Sequence, residues 1–202
     1  MKGLCKIFIG SVWAGVAISI GAIAYLCTKQ AIFFSIGLLI VCSFRLNLFT
    51  GKIPYADIRD FPKLLLIFFG NVIGAFLIGY VFSYVKQPLI IDTVKICRLK
   101  LAETWEIIPL AILCNVLIFI AVDVFKNEKF SQTFRLIVLW LATATFVICG
   151  FEHCVANAFY FAFAGMVNFN SIIFLLSNMI WNAVGGLLVY HSFALINKEE
   201  RS

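Results

Sequence analysis

Charged residues are scarce in this 202-residue sequence, because Asp, Glu, Lys and Arg make up 13% of it and hydrophobic residues 63%. Soluble domains contain about 25% charged residues. A water-soluble fold of this size could not bury so much hydrocarbon. The composition therefore excludes a soluble enzyme, a nucleic-acid-binding protein and a disordered chain. It predicts a protein whose solvent is the lipid bilayer.

Patterns for metal and disulfide chemistry are also missing. The seven cysteines form no Cys-x-x-Cys pair and no zinc-ligand spacing. Five of them lie in apolar stretches, where small packing residues are expected: Cys27, Cys42, Cys114, Cys149 and Cys154. We expect no metal and no cofactor. No A-x-A cleavage site follows the first apolar run, so we interpret that run as a transmembrane span and not as a signal peptide.

Long apolar runs predict an all-α membrane protein with six transmembrane helices. A span needs about 20 apolar residues. Spans one, three, four and six are assigned to residues 7–28, 64–85, 107–122 and 172–196. Span two starts at Gln30 and is interrupted by Arg45 and Asn47, whereas span five is interrupted by Glu152 and His153. Ionisable residues at such depth usually face a cavity or a pathway.

The flanking charges predict the orientation. With both termini inside, ten basic residues fall in cytoplasmic segments and five in external ones. Cytoplasmic loops carry an excess of Lys and Arg. We therefore expect both termini to be cytoplasmic.

A short motif indicates an internal repeat. Asn71 and Gly74 in span three, and Asn182 and Gly185 in span six, both belong to an N-x-x-G-small-x-L pattern. Such small residues also serve ordinary helix packing. Together with the paired interrupted spans, the motif predicts one transmembrane domain (residues 1–202) built from two three-span halves, at about 7–86 and 100–197. Because three is odd, the halves must be inverted, which puts a substrate path at their interface.

Three segments resemble the formate/nitrite transporter family: residues 48–51, 113–115 and 150–157. The Glu-His-x-x-Ala-Asn run in the last of these is the most specific. The resemblance implies an aquaporin-like six-helix fold and a homopentamer in which each protomer has its own pore. It also implies transport of a small monovalent anion such as formate, nitrite or hydrosulfide, often with a proton, across a bacterial plasma membrane.

The resemblance also implies roles for single residues. His153 matches the central pore histidine, and Thr50 matches the threonine that faces it. Phe49 and Phe146 resemble the inner and outer apolar constrictions, and Lys100 resembles a vestibule lysine that attracts anions. Asn115, Glu152 and Asn157 resemble polar residues that support the loop in the fifth span.

Histidine titrates closest to neutral pH. A buried, largely neutral His153 could therefore share a proton with an arriving weak acid.

Arg45 and Asn47 depart from the family pattern, which more often has Gly and Glu there. Counted from Gln30, Arg45 lies past the midplane at about 1.5 Å per residue. We expect it to border the inner vestibule and to raise the local anion concentration. Carboxylates on the same side that could partner it are Asp57, Asp60 and Asp123.

Other functions remain open from the sequence. The runner-up is a neutral small-solute pore of aquaporin-like type, against which the basic external loop argues. An intramembrane enzyme would need a nucleophile, a metal set or a second carboxylate beside His153 and Glu152, and none is visible, so we predict no enzyme. A membrane structural subunit without transport is the third alternative.

Overall fold

All regular elements that the computed structural model describes, in residues 2–102 and 105–199, are helical. The helices are α1 (Lys2–Thr28), α2 (Ser35–Ser43), α3 (Phe49–Lys52), α4 (Phe61–Val85), α5 (Ile90–Ala102), α6 (Ile107–Lys126), α7 (Gln132–Ile148), α8 (Cys154–Phe163) and α9 (Phe169–Glu199). Short 3-10 turns lie at Ala31–Phe34, Ile53–Tyr55, Ile58–Asp60 and Gln87–Leu89.

Four helices are long and apolar enough to cross a membrane: α1, α4, α6 and α9. They coincide with the predicted spans one, three, four and six. An α-helix pairs its backbone groups within itself, so it can cross lipid without exposing unpaired N–H and C=O groups.

The two predicted interruptions are also present. Helix α2 ends at Ser43 and α3 begins at Phe49, which leaves residues 44–48 outside regular helix; we call this segment the first break. Helix α7 ends at Ile148 and α8 begins at Cys154, which leaves residues 149–153 as the second break. The polar residues that were predicted to interrupt the two spans lie inside these breaks: Arg45, Asn47, Glu152 and His153.

Small residues let the long helices pack closely in pairs, α1 with α4 and α6 with α9. A Cβ atom on Gly74 of α4 would collide with the carbonyl oxygen of Val12, and one on Gly185 of α9 with that of Ile112. The short helix α8 lies between these pairs, and all its residues are buried.

Helix α5 marks one face of the molecule. Lys29, just after α1, donates to the Asp92 carboxylate of α5 at 2.7 Å, and this contact lowers the pKa of Asp92. The C-terminal end of α1 therefore lies on the α5 face. Helix α6 follows α5, so its last residue, Lys126, lies on the opposite face together with the start of α1.

All seven cysteines are free, which agrees with the absence of a disulfide framework. Cys114 and Cys154 are buried and Cys42 is partly buried. Cys27 and Cys149 are exposed, which corrects their predicted role in packing. The apolar residues beside them in the sequence therefore belong to an apolar surface and not to a buried core.

Replacing Gly74 with Leu tests the helix pairing. The added side chain would meet the α1 backbone, which cannot move aside as a side chain can. Overpacking costs typically about 1–3 kcal/mol. We expect the apparent melting temperature in detergent to fall and the yield of folded protein to drop. Gly3→Leu is the control, because a Cβ atom there meets nothing within 4 Å. Equal melting of the two variants would contradict the proposed packing.

Candidate functional site

The two breaks meet in the centre of the molecule. Thr50 lies in the first turn of α3, and His153 is the residue that caps the N-terminus of α8. The Thr50 Oγ1 and His153 Nε2 atoms are 3.0 Å apart, and both residues are buried. The structure thus brings together two side chains that are 103 positions apart in the sequence.

The capping bond determines which nitrogen of His153 carries hydrogen. The backbone N–H of Ala156 donates to Nδ1 at 3.2 Å. A neutral ring that accepts at Nδ1 carries its hydrogen on Nε2. His153 therefore donates through Nε2–H to Thr50 Oγ1, which leaves the Thr50 hydroxyl hydrogen for another acceptor.

Asn71 of α4 holds the first break. Its Oδ1 accepts from the backbone N–H of Phe49, the first residue of α3, at 2.8 Å. Its Nδ2 donates to the carbonyl oxygens of Asn47 and Ser11, each at 2.8 Å. One buried amide therefore satisfies two backbone groups that the interrupted helix leaves without partners, and it also binds a carbonyl of α1.

Asn182 of α9 does the same for the second break. Its Oδ1 accepts from the backbone N–H of Cys154, the first residue of α8, at 3.0 Å. Its Nδ2 donates to the carbonyl oxygens of Glu152 and Ala111, each at 2.8 Å. The two asparagines of the sequence motif therefore perform matching tasks.

Two backbone bonds continue this correspondence. The N–H of Asn47 donates to Gly10 of α1, and the N–H of Glu152 donates to Leu110 of α6, each at 3.2 Å. The acceptors of these bonds, Gly10 and Leu110, directly precede Ser11 and Ala111 in the sequence. The carbonyl oxygens of Ser11 and Ala111 are the ones that Asn71 and Asn182 bind.

The entry into the second break has a glycine at its turning point. Gly150 has a φ of 67°. Its N–H bonds to the carbonyl of Val147, and the N–H of Phe151 bonds to the carbonyl of Phe146 at 2.9 Å. This pair of bonds is the usual end of a helix whose chain turns through the left-handed region, where glycine is favoured.

The first break has the same turn with an arginine. Arg45 has a φ of 53° and bonds to the carbonyl of Cys42, while Leu46 bonds to that of Val41 at 2.9 Å. Arg45 thus occupies the position that Gly150 holds in the second break. A left-handed backbone conformation costs a residue with a Cβ atom roughly 1–2 kcal/mol.

Lys100, Glu152 and Asn157 form a chain of polar contacts beside His153. The Lys100 ammonium donates to Glu152 Oε1 at 2.5 Å, and Asn157 Nδ2 donates to Oε2 at 2.5 Å. Glu152 is 1% exposed, and the Lys100 side chain is 13% exposed. Both oxygens of this buried carboxylate are therefore satisfied.

Asn115, which was expected to support the loop in the fifth span, contacts this loop through Asn182. Its Nδ2 donates to the carbonyl of Asn182 at 2.7 Å, and Asn182 in turn holds the second break. Asn178, which the sequence did not single out, donates to the Glu152 carbonyl at 3.1 Å.

A cavity of about 130 Å³ opens from His153 toward α5, and we call it the histidine cavity. Lys100 and Phe146 line it as well, and the Phe146 ring stacks on the imidazole at 5.9 Å between centroids. Tyr25 and Tyr160 also line it, and sequence reasoning missed both. Tyr160 lies two turns after His153 in α8, and that helical spacing was an available signal.

A second cavity, of about 390 Å³, lies on the other side of Thr50, toward the face opposite α5. We call it the basic cavity because four cationic side chains line it: Arg45, Lys52, Lys126 and Arg135. Glu128 is the carboxylate in its wall. Cationic side chains therefore line both cavities, with Lys100 in the histidine cavity and four in the basic cavity.

The expected carboxylate partners of Arg45 bond elsewhere or form no ion pair with it. Asp123 accepts from the Tyr55 hydroxyl at 2.7 Å, and Asp60 lies 3.9 Å from Lys63. In the described part of the chain, no ion pair joins Arg45 to a carboxylate.

The two aromatic residues expected at constrictions differ in position. Phe146 lines the histidine cavity, whereas Phe49 packs edge-on against Phe68 of α4 at 5.5 Å. Leu48, which precedes Phe49 and was not predicted, lines the basic cavity. Among the described residues, no group of His, Cys, Asp and Glu could hold a metal ion.

Comparison with known proteins gives a consistent match. A sequence model described as formate/nitrite transporter matches residues 2–195. The chain is 26% identical over 185 residues to the formate channel FocA of Haemophilus influenzae, covering 75% of this chain and 64% of FocA. It is 28% identical over 193 residues to the uncharacterized transporter YrhG of Bacillus subtilis, covering 84% of this chain and 71% of YrhG.

Solved structures share the fold. A pentameric formate channel with formate bound superposes with a TM-score of 0.79 at 24% identity, covering 96% of both chains. An ion channel of the FNT family superposes with a TM-score of 0.80 at 18% identity, covering 98% of this chain and 90% of that one.

Replacing Asn182 with Leu tests the support of the second break. The substitution keeps the side-chain volume close and removes three buried hydrogen bonds. Each buried group left without a partner costs about 1–3 kcal/mol. We expect a large fall in the apparent melting temperature in detergent. Asn170→Leu in the same helix is the control, because Asn170 is exposed. If both variants melt like the unchanged protein, Asn182 does not support the break.

Proposed function

Because the chain belongs to the formate/nitrite transporter family, as the match over residues 2–195 shows, we propose that it conducts a small monovalent anion across a membrane. The observation that carries the proposal is the buried hydrogen bond between His153 and Thr50, with a cavity on each side. Formate, nitrite and hydrosulfide are the anions that we consider, with a proton as the second substrate.

The histidine cavity is suited to receive an anion. The N-terminus of α8 carries a partial positive charge from the helix dipole, which favours a negative ligand. Lys100 has three N–H donors, and the Glu152 contact uses one of them. Lys100 neutralises the Glu152 charge, Asn157 hydrogen-bonds the second carboxylate oxygen, and Glu152 does not line the cavity, so it does not repel an anion there.

The segment between the cavities is suited to a neutral acid. Phe146 borders it on one side and Leu48 with Phe49 on the other, and all three are buried. Moving a bare anion into such apolar surroundings costs several kcal/mol, whereas a hydrogen-bonded neutral acid costs much less. We infer that the anion takes up a proton before it crosses. The Thr50 hydroxyl hydrogen, which the bond from His153 leaves free, provides a polar contact in between.

We also propose that the two halves are an inverted three-plus-three repeat. The support is the matched bonding of Asn71 and Asn182 at the two breaks, together with the matched packing of Gly74 and Gly185. The repeat interface then contains the His153–Thr50 pair, which is where such folds place the substrate path.

The chain is a multi-pass membrane protein, and we propose that it forms a homopentamer in a bacterial plasma membrane. Its fold matches that of the pentameric formate channel at a TM-score of 0.79. We place both termini in the cytoplasm because of the basic residues on that side, so the basic cavity opens inward. Cationic side chains on both sides of the path favour an anion over a neutral solute, and we propose no enzymatic activity.

Flux into liposomes tests the proposal. Purified protein is reconstituted and the uptake of formate, nitrite and hydrosulfide is compared with that of glycerol. We expect the three anions to enter faster than in protein-free liposomes, and glycerol at the protein-free rate. Glycerol uptake without anion uptake would show a neutral-solute pore, and uptake of none would contradict transport.

His153→Asn tests the role of the histidine. Asparagine still offers an oxygen that can cap Ala156, but it has no ring to exchange a proton. We expect formate flux to fall by roughly tenfold, the value of about one hydrogen bond. We also expect the rise of this flux on acidification to shrink, because asparagine cannot exchange a proton with the arriving acid. Size-exclusion chromatography should show unchanged assembly. Unchanged flux with an unchanged pH profile would remove His153 from the mechanism.

A further inference from the structure

The basic cavity is larger than the histidine cavity, and more cationic side chains line it. Its volume of about 390 Å³ falls within the range of about 300–1,000 Å³ for ligand pockets, while the histidine cavity measures about 130 Å³. Four cations and one carboxylate line it, which leaves a net charge of +3 (four minus one).

These cations have unused bonding capacity. In the part of the chain that the structure describes, none of the four forms an ion pair with a carboxylate. Arg135 donates from Nη1 to the carbonyl of Phe125 at 3.2 Å, but its Nε is buried without a partner. The Lys126 ammonium lies over the ring face of Tyr55, at 4.8 Å from the centroid.

The backbone at Arg45 indicates that its charge serves a purpose. The equivalent turn in the second break has Gly150, which accepts a positive φ without steric cost. The first break keeps a long cationic side chain in the same conformation, at φ 53°. Backbone strain of this kind clusters at functional sites, where the surrounding structure holds it in place.

We propose that the basic cavity binds a soluble anion carrying a doubly charged phosphate group, and that the bound anion blocks the pathway. Guanidinium groups match phosphate oxygens in geometry, and several cations together favour a multivalent ligand over a monovalent one. A doubly charged phosphate is too costly to move past buried Leu48 and Phe49, so it stays in the cavity. The blocking role rests on the proposed transport function, whereas binding does not.

Pyrophosphate binding tests the site independently of transport. The unchanged protein is placed in phosphatidylcholine nanodiscs and titrated calorimetrically with inorganic pyrophosphate. Arg45→Gly removes the charge and relieves the strained backbone, so we expect affinity to fall by about tenfold or more, as for one charge-assisted hydrogen bond, while the melting temperature stays equal or rises. Glu128→Gln should strengthen binding, because it removes the carboxylate from the wall.

Arg59→Gln is the matched control, since Arg59 is a basic residue of the neighbouring loop that does not line the cavity. Equal affinity of Arg45→Gly and the unchanged protein, or an equal loss in Arg59→Gln, would overturn the site. A phosphate headgroup of a lipid has the same chemistry. The proposal of a soluble ligand is wrong if pyrophosphate does not bind while phosphatidic acid raises the melting temperature of the unchanged protein but not that of Arg45→Gly.

Inhibition is then measured as formate flux from liposomes loaded with pyrophosphate on the side of the basic cavity. We expect pyrophosphate to lower the flux of the unchanged protein, and we expect half-inhibition of Arg45→Gly to need about tenfold more pyrophosphate, in proportion to its lower affinity. Binding without inhibition of a conducting protein would overturn the blocking role. Binding in a protein that conducts no formate would leave the site standing and contradict the proposed transport instead.

Discussion

The structure depends on how two interrupted helices satisfy their backbone in an apolar environment. An unpaired N–H or C=O group in lipid costs several kcal/mol. Asn71 and Asn182 each bind one N–H and one C=O group at a break, together with one C=O group of the neighbouring helix, α1 or α6, and so they stabilise the interruptions. Glycines at the helix crossings allow the close approach that brings each asparagine within reach.

The site follows from this support. Once both breaks are fixed, the first turn of α3 and the N-terminal cap of α8 face each other, and Thr50 and His153 come within 3.0 Å. The bond from Ala156 to Nδ1 then directs the ring hydrogen of His153 toward Thr50. Glu152, the residue before His153, could have brought an unfavourable negative charge, but Lys100 and Asn157 compensate it. The need to satisfy the backbone at the two breaks thus determines both the distance between Thr50 and His153 and the charges around them.

Much of this could be predicted from the sequence, because apolar length and polar interruptions are local signals. The four long spans, both breaks and the repeated Asn-x-x-Gly motif are examples. Contacts between distant segments were harder to predict, because they depend on how helices rotate when they pack. One example is the ion pair of Lys100 with Glu152. Another is that Phe49 contacts Phe68 while Leu48 faces the basic cavity. The equivalence of Arg45 and Gly150 emerges only from their backbone angles.

The central claim is that His153 and Thr50 act on the transported anion as one hydrogen-bonded unit. A double-mutant cycle of His153→Asn and Thr50→Val, read out as formate flux into liposomes, tests it most directly. Residues in contact within one network show interaction energies of about 0.5–3 kcal/mol. We predict that the double variant loses little more flux than the more affected single variant. Fully additive losses would show that the two side chains act independently and would contradict the account.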